Sequence, residues 1–298
     1  MKATLKIFIL FFLISQSCVF AGNRAKTGKH SGPHPYGMLG TYANPPRLAN
    51  GRVDNDKLLS QLKDIHADVY HWLIREQNHE WDDLKQFLPL ARKARIKVWV
   101  CLVPPSESKS ADKFPPGAIG LDYVRWAAEI ATLSLAEPNL VAWSIDDFVH
   151  NLKFYTPEYV KKMMAAAHAI NPKLGFLPCC YYKQTTPAFV KDYSQFLDGI
   201  LFPYRAESVG ANLQDASQVE NEINKLRELF NRPDFPIYLD IYATAHSRLG
   251  ASTPQYVKDV LTAGRQWADG VFIYRHQDPV QSAEKYKIIR EGFRQKLK

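Results

Sequence analysis

The chain has 298 residues, 46% of them apolar and 23% charged, a balance that excludes intrinsic disorder, a collagen repeat and a coiled coil. Its formal charge of +8 comes from basic residues scattered among acids, so no nucleic-acid footprint is expected and an anionic substrate is permitted.

The chain opens on a secretory leader. Met1, Lys2 and Lys6 make a basic start, Ile7 to Ile14 is unbroken and apolar, and Val19-Phe20-Ala21 fits a small-residue cleavage site. The apolar run is too short to span a bilayer, and no later stretch suggests a membrane helix. Residues 1–21 therefore read as a signal peptide, and a cut after Ala21 leaves 277 residues at net +6, secreted or periplasmic. Lipoprotein anchoring through Cys18 is the less favoured alternative, because Ser15 is a poor residue three places upstream. Residues 22–35 form a basic, Gly- and His-containing lead-in that is expected to be poorly ordered. Of the cysteines left after cleavage, Cys101, Cys179 and Cys180 sit in apolar runs and read as buried thiols; a strained Cys179–Cys180 bridge is the sharper alternative.

Eight short runs of strand character follow, each trailed by a helical pattern: Gly37–Tyr42, Asp68–Leu73, Lys97–Val103, Leu140–Ile145, Leu174–Cys179, Gly199–Phe202, Ile237–Ile241 and Gly270–Tyr274. Most lack polar alternation, as strands covered by helices should. Intervening segments space apolar residues by three and four, as in Leu58, Leu59, Leu62 and Ile65, or Val219, Ile223, Leu226, Leu229 and Phe230. Thr156-Pro157, Thr186-Pro187 and Thr253-Pro254 each place a capping hydroxyl before a first-turn proline, and Asp278-Pro279 repeats the device. Count, order and size match a (β/α)8 TIM barrel, an α/β fold, as a single domain over residues 36–298. A doubly wound open sheet lacks its glycine-rich phosphate turn here.

Such barrels place their chemistry at the carboxyl ends of the strands. The first strand ends in Tyr42; the second carries His71 and ends in Arg75-Glu76; the third opens into a polar loop with Ser106, Glu107 and Asp112. The fourth ends in Asp146-Asp147 with His150 beyond, the fifth in Tyr181-Tyr182, and the sixth in Tyr204-Arg205 followed by Glu207. The seventh carries Asp240 and Tyr242, with His246 beyond, and the eighth ends in Arg275-His276. Alternation turns Val141, Trp143 and Ile145 toward the helices and Ala142, Ser144 and Asp146 inward; it likewise turns Tyr238, Asp240 and Tyr242 inward. Two carboxyl groups facing each other across such a mouth are what glycosidic cleavage requires, one protonating the leaving oxygen and the other attacking the sugar or activating water. The catalytic candidates are Asp146 or Asp147 on one side, with Asp240 or Glu207 opposite. Tyr42, Tyr182, Tyr204 and Tyr242 would line the sugar, with Trp72, Tyr181 and Tyr274 at neighbouring strand ends. His71, Arg75, Glu76, Arg205, His246, Arg275 and His276 would hold its hydroxyls or a uronate or sulfate group.

On WSIDDF at Trp143–Phe148 and DGILFPYRAE at Asp198–Glu207, the chain resembles the TIM-barrel glycoside hydrolases. Acids at the fourth and seventh strands resemble the layout of their largest retaining clan, which uses glutamates where this chain has aspartates. Chitinase-like barrels share the acidic fourth strand, but the DxxDxDxE pattern is absent here. Alpha-galactosidase-like barrels pair aspartates at the fourth and sixth strands, where this chain offers Glu207. The resemblance implies a carbohydrate substrate cleaved without a cofactor or metal. Two rivals remain. A non-catalytic carbohydrate-binding barrel would keep the aromatic rim and lose the paired acids. A metal-dependent hydrolase would draw on His71, His150, His246, His276 and the aspartates, but has no His-x-His pair on the first strand.

Overall fold

A computed structural model describes residues 35–74, 79–107, 120–204, 213–246, 250–275 and 279–295. The leader and most of the lead-in fall outside these, as do Arg75, Glu76, Asp112, Arg205, Glu207, His276 and Asp278. The strands are β1 (Leu39–Tyr42), β2 (Val69–Ile74), β3 (Lys97–Leu102), β4 (Leu140–Ile145), β5 (Gly175–Phe176), β6 (Ile200–Pro203), β7 (Ile237–Tyr242) and β8 (Gly270–Tyr274). They alternate with α1 (Asn55–Asp64), α2 (Glu80–Lys93), α3 (Tyr123–Ala136), α4 (Pro157–His168), α5 (Pro187–Tyr193), α6 (Val219–Phe230), α7 (Pro254–Trp267) and α8 (Ala283–Arg294). All pairings between these strands are parallel, in the order β5-β4-β3-β2-β1-β8-β7-β6. The ring closes where Cys179 bridges Leu201 of β6, with the Cys180 amide donating to the Leu201 carbonyl at 2.8 Å. This is the (β/α)8 barrel expected from the sequence. The fifth strand is shorter than expected because Pro178 has no N–H for the ladder.

Helix starts follow the sequence signals. The hydroxyls of Thr156, Thr186 and Thr253 accept from the amides of Tyr159, Phe189 and Tyr256, each with proline at the first helical position. Inside α6, Val219, Ile223, Leu226 and Phe230 are buried, the stripe its spacing requires. Trp143 and Ile145 of β4, with Ile237, Leu239 and Ile241 of β7, pack into the large layer between sheet and helices.

The barrel interior has two characters. Its floor is an apolar plug of Val69, Trp99, Ala142, Leu177, Leu201, Tyr238 and Phe272. Each large side chain buried there contributes roughly 1.5–3 kcal/mol. The chain entering β1 seals the floor from below: the Trp99 indole donates to the Tyr36 carbonyl at 2.7 Å, and the Tyr238 hydroxyl to the Gly37 carbonyl at 3.0 Å. Nearer the carboxyl ends the inward residues turn polar, with His71, Ser144 and Asp240 all buried. Burying polar groups costs free energy unless they are partnered, so this layer marks where the fold gives up stability. Among the described residues no helix is long and apolar enough to cross a membrane.

Candidate active site at the barrel mouth

Asp146 follows β4 directly, and its amide still donates to the Leu102 carbonyl at 2.9 Å, which keeps it registered with β3. The next residue turns the chain: Asp147 adopts φ 43°, ψ 34° and leads into a 3-10 turn over Phe148–Asn151. Aspartate tolerates this left-handed backbone better than most residues, and sparsely populated backbone gathers at functional sites. The Asn151 side chain steadies the turn, donating to the Asp147 carbonyl at 2.9 Å and accepting from the Ser106 amide at 3.3 Å.

The two carboxyl groups are each met by a tyrosine from another strand end. Tyr42 donates to Asp146 Oδ2 at 2.7 Å and Tyr181 to Asp147 Oδ1 at 2.6 Å, while the Asp147 amide donates to Asp146 Oδ1 at 3.1 Å. Burial, then the neighbouring charges of Asp147 and Glu107, raise the Asp146 pKa to about 7; the hydrogen bonds from Tyr42 and the Asp147 amide act the other way. A carboxyl poised there can both hold and release a proton near neutrality.

The Cys179 thiol completes the cluster, with one donor atom from each of Asp146, Asp147 and Cys179 lying within 4.8 Å of the others. Such a set could hold a metal ion. Both carboxylates accept phenolic hydrogen bonds, and burial and the two aspartates push the thiol well above its ordinary pKa. Cys101, Cys179 and Cys180 are all free and buried, so the neighbouring pair is unbridged.

Asp240 faces inward as alternation requires, but lies below the mouth: it pairs with Phe272 and Pro203 and is 2% exposed. Burial, then the charge of Asp146, holds its pKa far above the ordinary carboxylate range, and its Oδ1 has no hydrogen-bond partner among the described residues. Asp240 stands two residues before the end of β7, inside the barrel and within electrostatic reach of Asp146. His71 is buried as well. Its Nε2 is 2.7 Å from Ser144 Oγ, burial lowers its pKa to about 3, and the Tyr42 ring covers it at 4.8 Å. It stays neutral beneath the site instead of meeting substrate at the rim.

Tyr42, Tyr274 and Tyr242 form a continuous aromatic wall, with ring centroids 5.2 and 4.5 Å apart. The Arg275 guanidinium lies 5.5 Å from the Tyr274 ring centre on an exposed, left-handed residue. Tyr204, expected at the rim, is instead fully buried. Its hydroxyl donates to the Asp215 carbonyl at 2.8 Å and accepts from the Gln218 amide at 3.2 Å, so it anchors the approach to α6. Tyr182 packs 6.2 Å from Phe202, while its neighbour Tyr181 reaches Asp147. Parity was the available signal: Leu177, Cys179 and Tyr181 alternate inward together. The backbone of His246 runs in a two-residue ribbon, Ala245–His246 against Gly250–Ala251, beyond β7. Glu107, after β3, was an unranked loop acid in the sequence, yet its charge acts on Asp146.

No protein-family model matches the chain, and no curated protein matches it in sequence. Solved structures of similar fold include glycoside hydrolases. A GH113 beta-1,4-mannanase superposes with TM-score 0.60 at 12% identity, over 88% of this chain and 99% of that one. A GH18 chitinase from Pseudoalteromonas aurantia gives 0.59 at 11%, over 86% and 99%. A family 39 glycoside hydrolase from Bacteroides cellulosilyticus gives 0.54 at 14%, over 85% of this chain and 58% of that one. At these identities the likeness is one of fold: the chain shares the TIM barrel of these enzymes.

Proposed function

We propose that this chain is a secreted glycoside hydrolase acting on an oligo- or polysaccharide, with Asp146 as the proton donor. The observation that carries the reading is the Asp146 carboxyl at the barrel mouth, with a pKa near 7, beside a second carboxyl held separately by Tyr181. In the proposed step, the Asp146 proton passes to the glycosidic oxygen as the bond from that oxygen to the anomeric carbon breaks. The Asp147 carboxyl would stabilise the positive charge that develops on the sugar ring. Glu207, at the end of the sixth strand by sequence, is the remaining candidate for the opposite role, attacking the sugar or activating water. Half-buried Tyr274, backed by the buried rings of Tyr42 and Tyr242, offers an aromatic face to the sugar ring. Arg275 beside them would receive a uronate or sulfate group, which an unaltered acidic-glycan activity in Arg275→Ala would argue against. Support for secretion is the leader over residues 1–21.

The burial of Asp240 inside the barrel supports a second reading, a non-catalytic carbohydrate-binding barrel. Purified protein incubated with a panel of neutral and acidic glycans separates the two. Turnover that disappears in Asp146→Asn and Asp147→Asn, with sugar affinity retained, supports the hydrolase. Binding with no turnover by the wild type supports the second reading and refutes the first.

A further inference from the structure

The residue just beyond the acidic pair stands in an arrangement that the proposed step does not use. His150 lies in the 3-10 turn that Asp147 opens, its amide donating to the Asp147 carbonyl at 3.0 Å. Its ring stacks on Tyr181 with centroids 4.6 Å apart and planes 10° apart. Its Nδ1 is 3.8 Å from Asp147 Oδ1, the oxygen to which Tyr181 donates at 2.6 Å. One carboxylate oxygen is thus approached from two sides by groups that also hold each other. The imidazole side chain is 28% exposed and Asp147 20%, so the contact stands at the edge of the mouth, where a substrate arrives.

We infer that His150 is a positioning residue: by clamping Tyr181 and presenting Nδ1 to Asp147, it fixes the Asp147 carboxylate in the orientation the site requires. The inference rests on the hydrolase reading for its consequence in turnover, but its geometry does not depend on that reading. Groups meeting the His150 ring are Asp147 from its own turn and Tyr181 from beyond β5; Asp146, Cys179 and Glu107 form the acidic and thiol surroundings of that pair. Flat stacking limits the ring's rotation, so Nδ1 faces the carboxylate without a hydrogen bond of its own to Asp147. The turn does not need the imidazole to form, because buried Phe148 and Val149 and the Asn151 hydrogen bonds hold it. Variants at 150 should therefore fold.

Two arms test this. On a glycan that the wild type cleaves, His150→Ala and His150→Phe should each lower kcat about tenfold, in the range of a lost electrostatic contact, with KM nearly unchanged. His150→Gln, which retains a nitrogen donor, should recover part of the loss. A His150→Phe enzyme with wild-type kcat would overturn the proposal, since aromatic packing alone would then suffice. The second arm needs no substrate: in protein carrying 13C-labelled aspartate at neutral pH, the Asp147 carboxyl resonance should shift or broaden in His150→Phe, because the contact that fixes its orientation is gone. An unmoved, equally sharp resonance would also overturn it. If no glycan is cleaved, the hydrolase reading fails while this resonance still decides the role of His150.

Discussion

Tyr42, at the end of β1, donates its phenolic proton to Asp146, 104 residues later at the end of β4. The bond spans the mouth across two intervening strands, so only the closed barrel brings its partners together. It also favours the ionised form of Asp146 against burial and the charge of Asp147. In Tyr42→Phe the Asp146 pKa should therefore rise above about 7, and the alkaline limb of kcat/KM should move to higher pH. The ring packing survives this change. Chemical denaturation at pH 8 should show a loss of about 1.5–3 kcal/mol, the worth of a hydrogen bond to a charged group. An alkaline limb that stays in place would separate Tyr42 from the tuning of Asp146.

Asp146 itself predicts opposite effects on activity and stability. As proton donor it must be protonated, so wild-type kcat/KM should fall as pH rises through about 7, and Asp146→Asn should lose at least a hundredfold. For stability, the folded pKa lies above the ordinary 3.8, so the unfolded chain gives up this proton first as pH rises. Stability should then decline between about pH 4 and 7 by an amount on the order of a few kcal/mol. Asp146→Asn removes that decline. Its melting temperature should exceed the wild type's at pH 8 and converge with it at pH 4. Equal melting curves at pH 8 would mean that the carboxyl is not held out of its ordinary range.

The barrel was legible because its strands are apolar runs separated by helix starts with explicit caps, and those signals are local. Thr156, Thr186 and Thr253 needed nothing beyond their own helices. The inward parity of Ala142, Ser144 and Asp146, and of Tyr238 and Asp240, was equally legible, because a strand fixes it by alternation. Depth along the barrel axis was not. Whether an inward residue meets the mouth or the layer below depends on strand stagger, which separates Asp146 from Asp240 and places His71 under Tyr42. Tyr204 illustrates a second limit: its hydroxyl is satisfied by Asp215 and Gln218, eleven or more residues on, and no local pattern marks that partnership. The roles of Glu107 and His150 depend on loops folding back over the strand ends.

Asp240 gives a prediction that separates a buried acid from a catalytic one. Because burial and Asp146 push its pKa well above the ordinary carboxylate range, Asp240→Asn replaces an acid whose charge is disfavoured by a neutral group of nearly the same shape. The variant should keep most of the wild-type kcat while Asp146→Asn does not. It should also melt higher than the wild type at pH 8, with little difference at pH 4, since a carboxyl with a raised folded pKa costs stability only above its unfolded value. A loss of turnover as deep as that of Asp146→Asn, in a variant of undiminished stability, would restore Asp240 to the reacting pair.

The floor beneath the site predicts its own sensitivity. A Cβ added at Gly40 would stand 2.6 Å from a ring carbon of Phe272 and 2.7 Å from Cγ1 of Val69, both members of the apolar plug. Phe272 has little room to withdraw, being packed 4.7 Å from Trp99 and 5.7 Å from His71, centroid to centroid. Gly40→Ala should therefore destabilise by about 1–3 kcal/mol, the usual cost of overfilling a packed interior. Gly250→Ala is the contrast: no atom lies within 4 Å of its Cβ, but φ is 81°, so only backbone strain of about 1 kcal/mol opposes it. The functional consequence follows from what stands on the floor. His71 rests against Phe272 and supports Tyr42, which holds Asp146. Displacing Phe272 should thus disturb Asp146, the proposed proton donor, through two intermediaries, lowering kcat in Gly40→Ala but not in Gly250→Ala. Equal kcat in the two folded variants would mean that the plug and the mouth are mechanically independent.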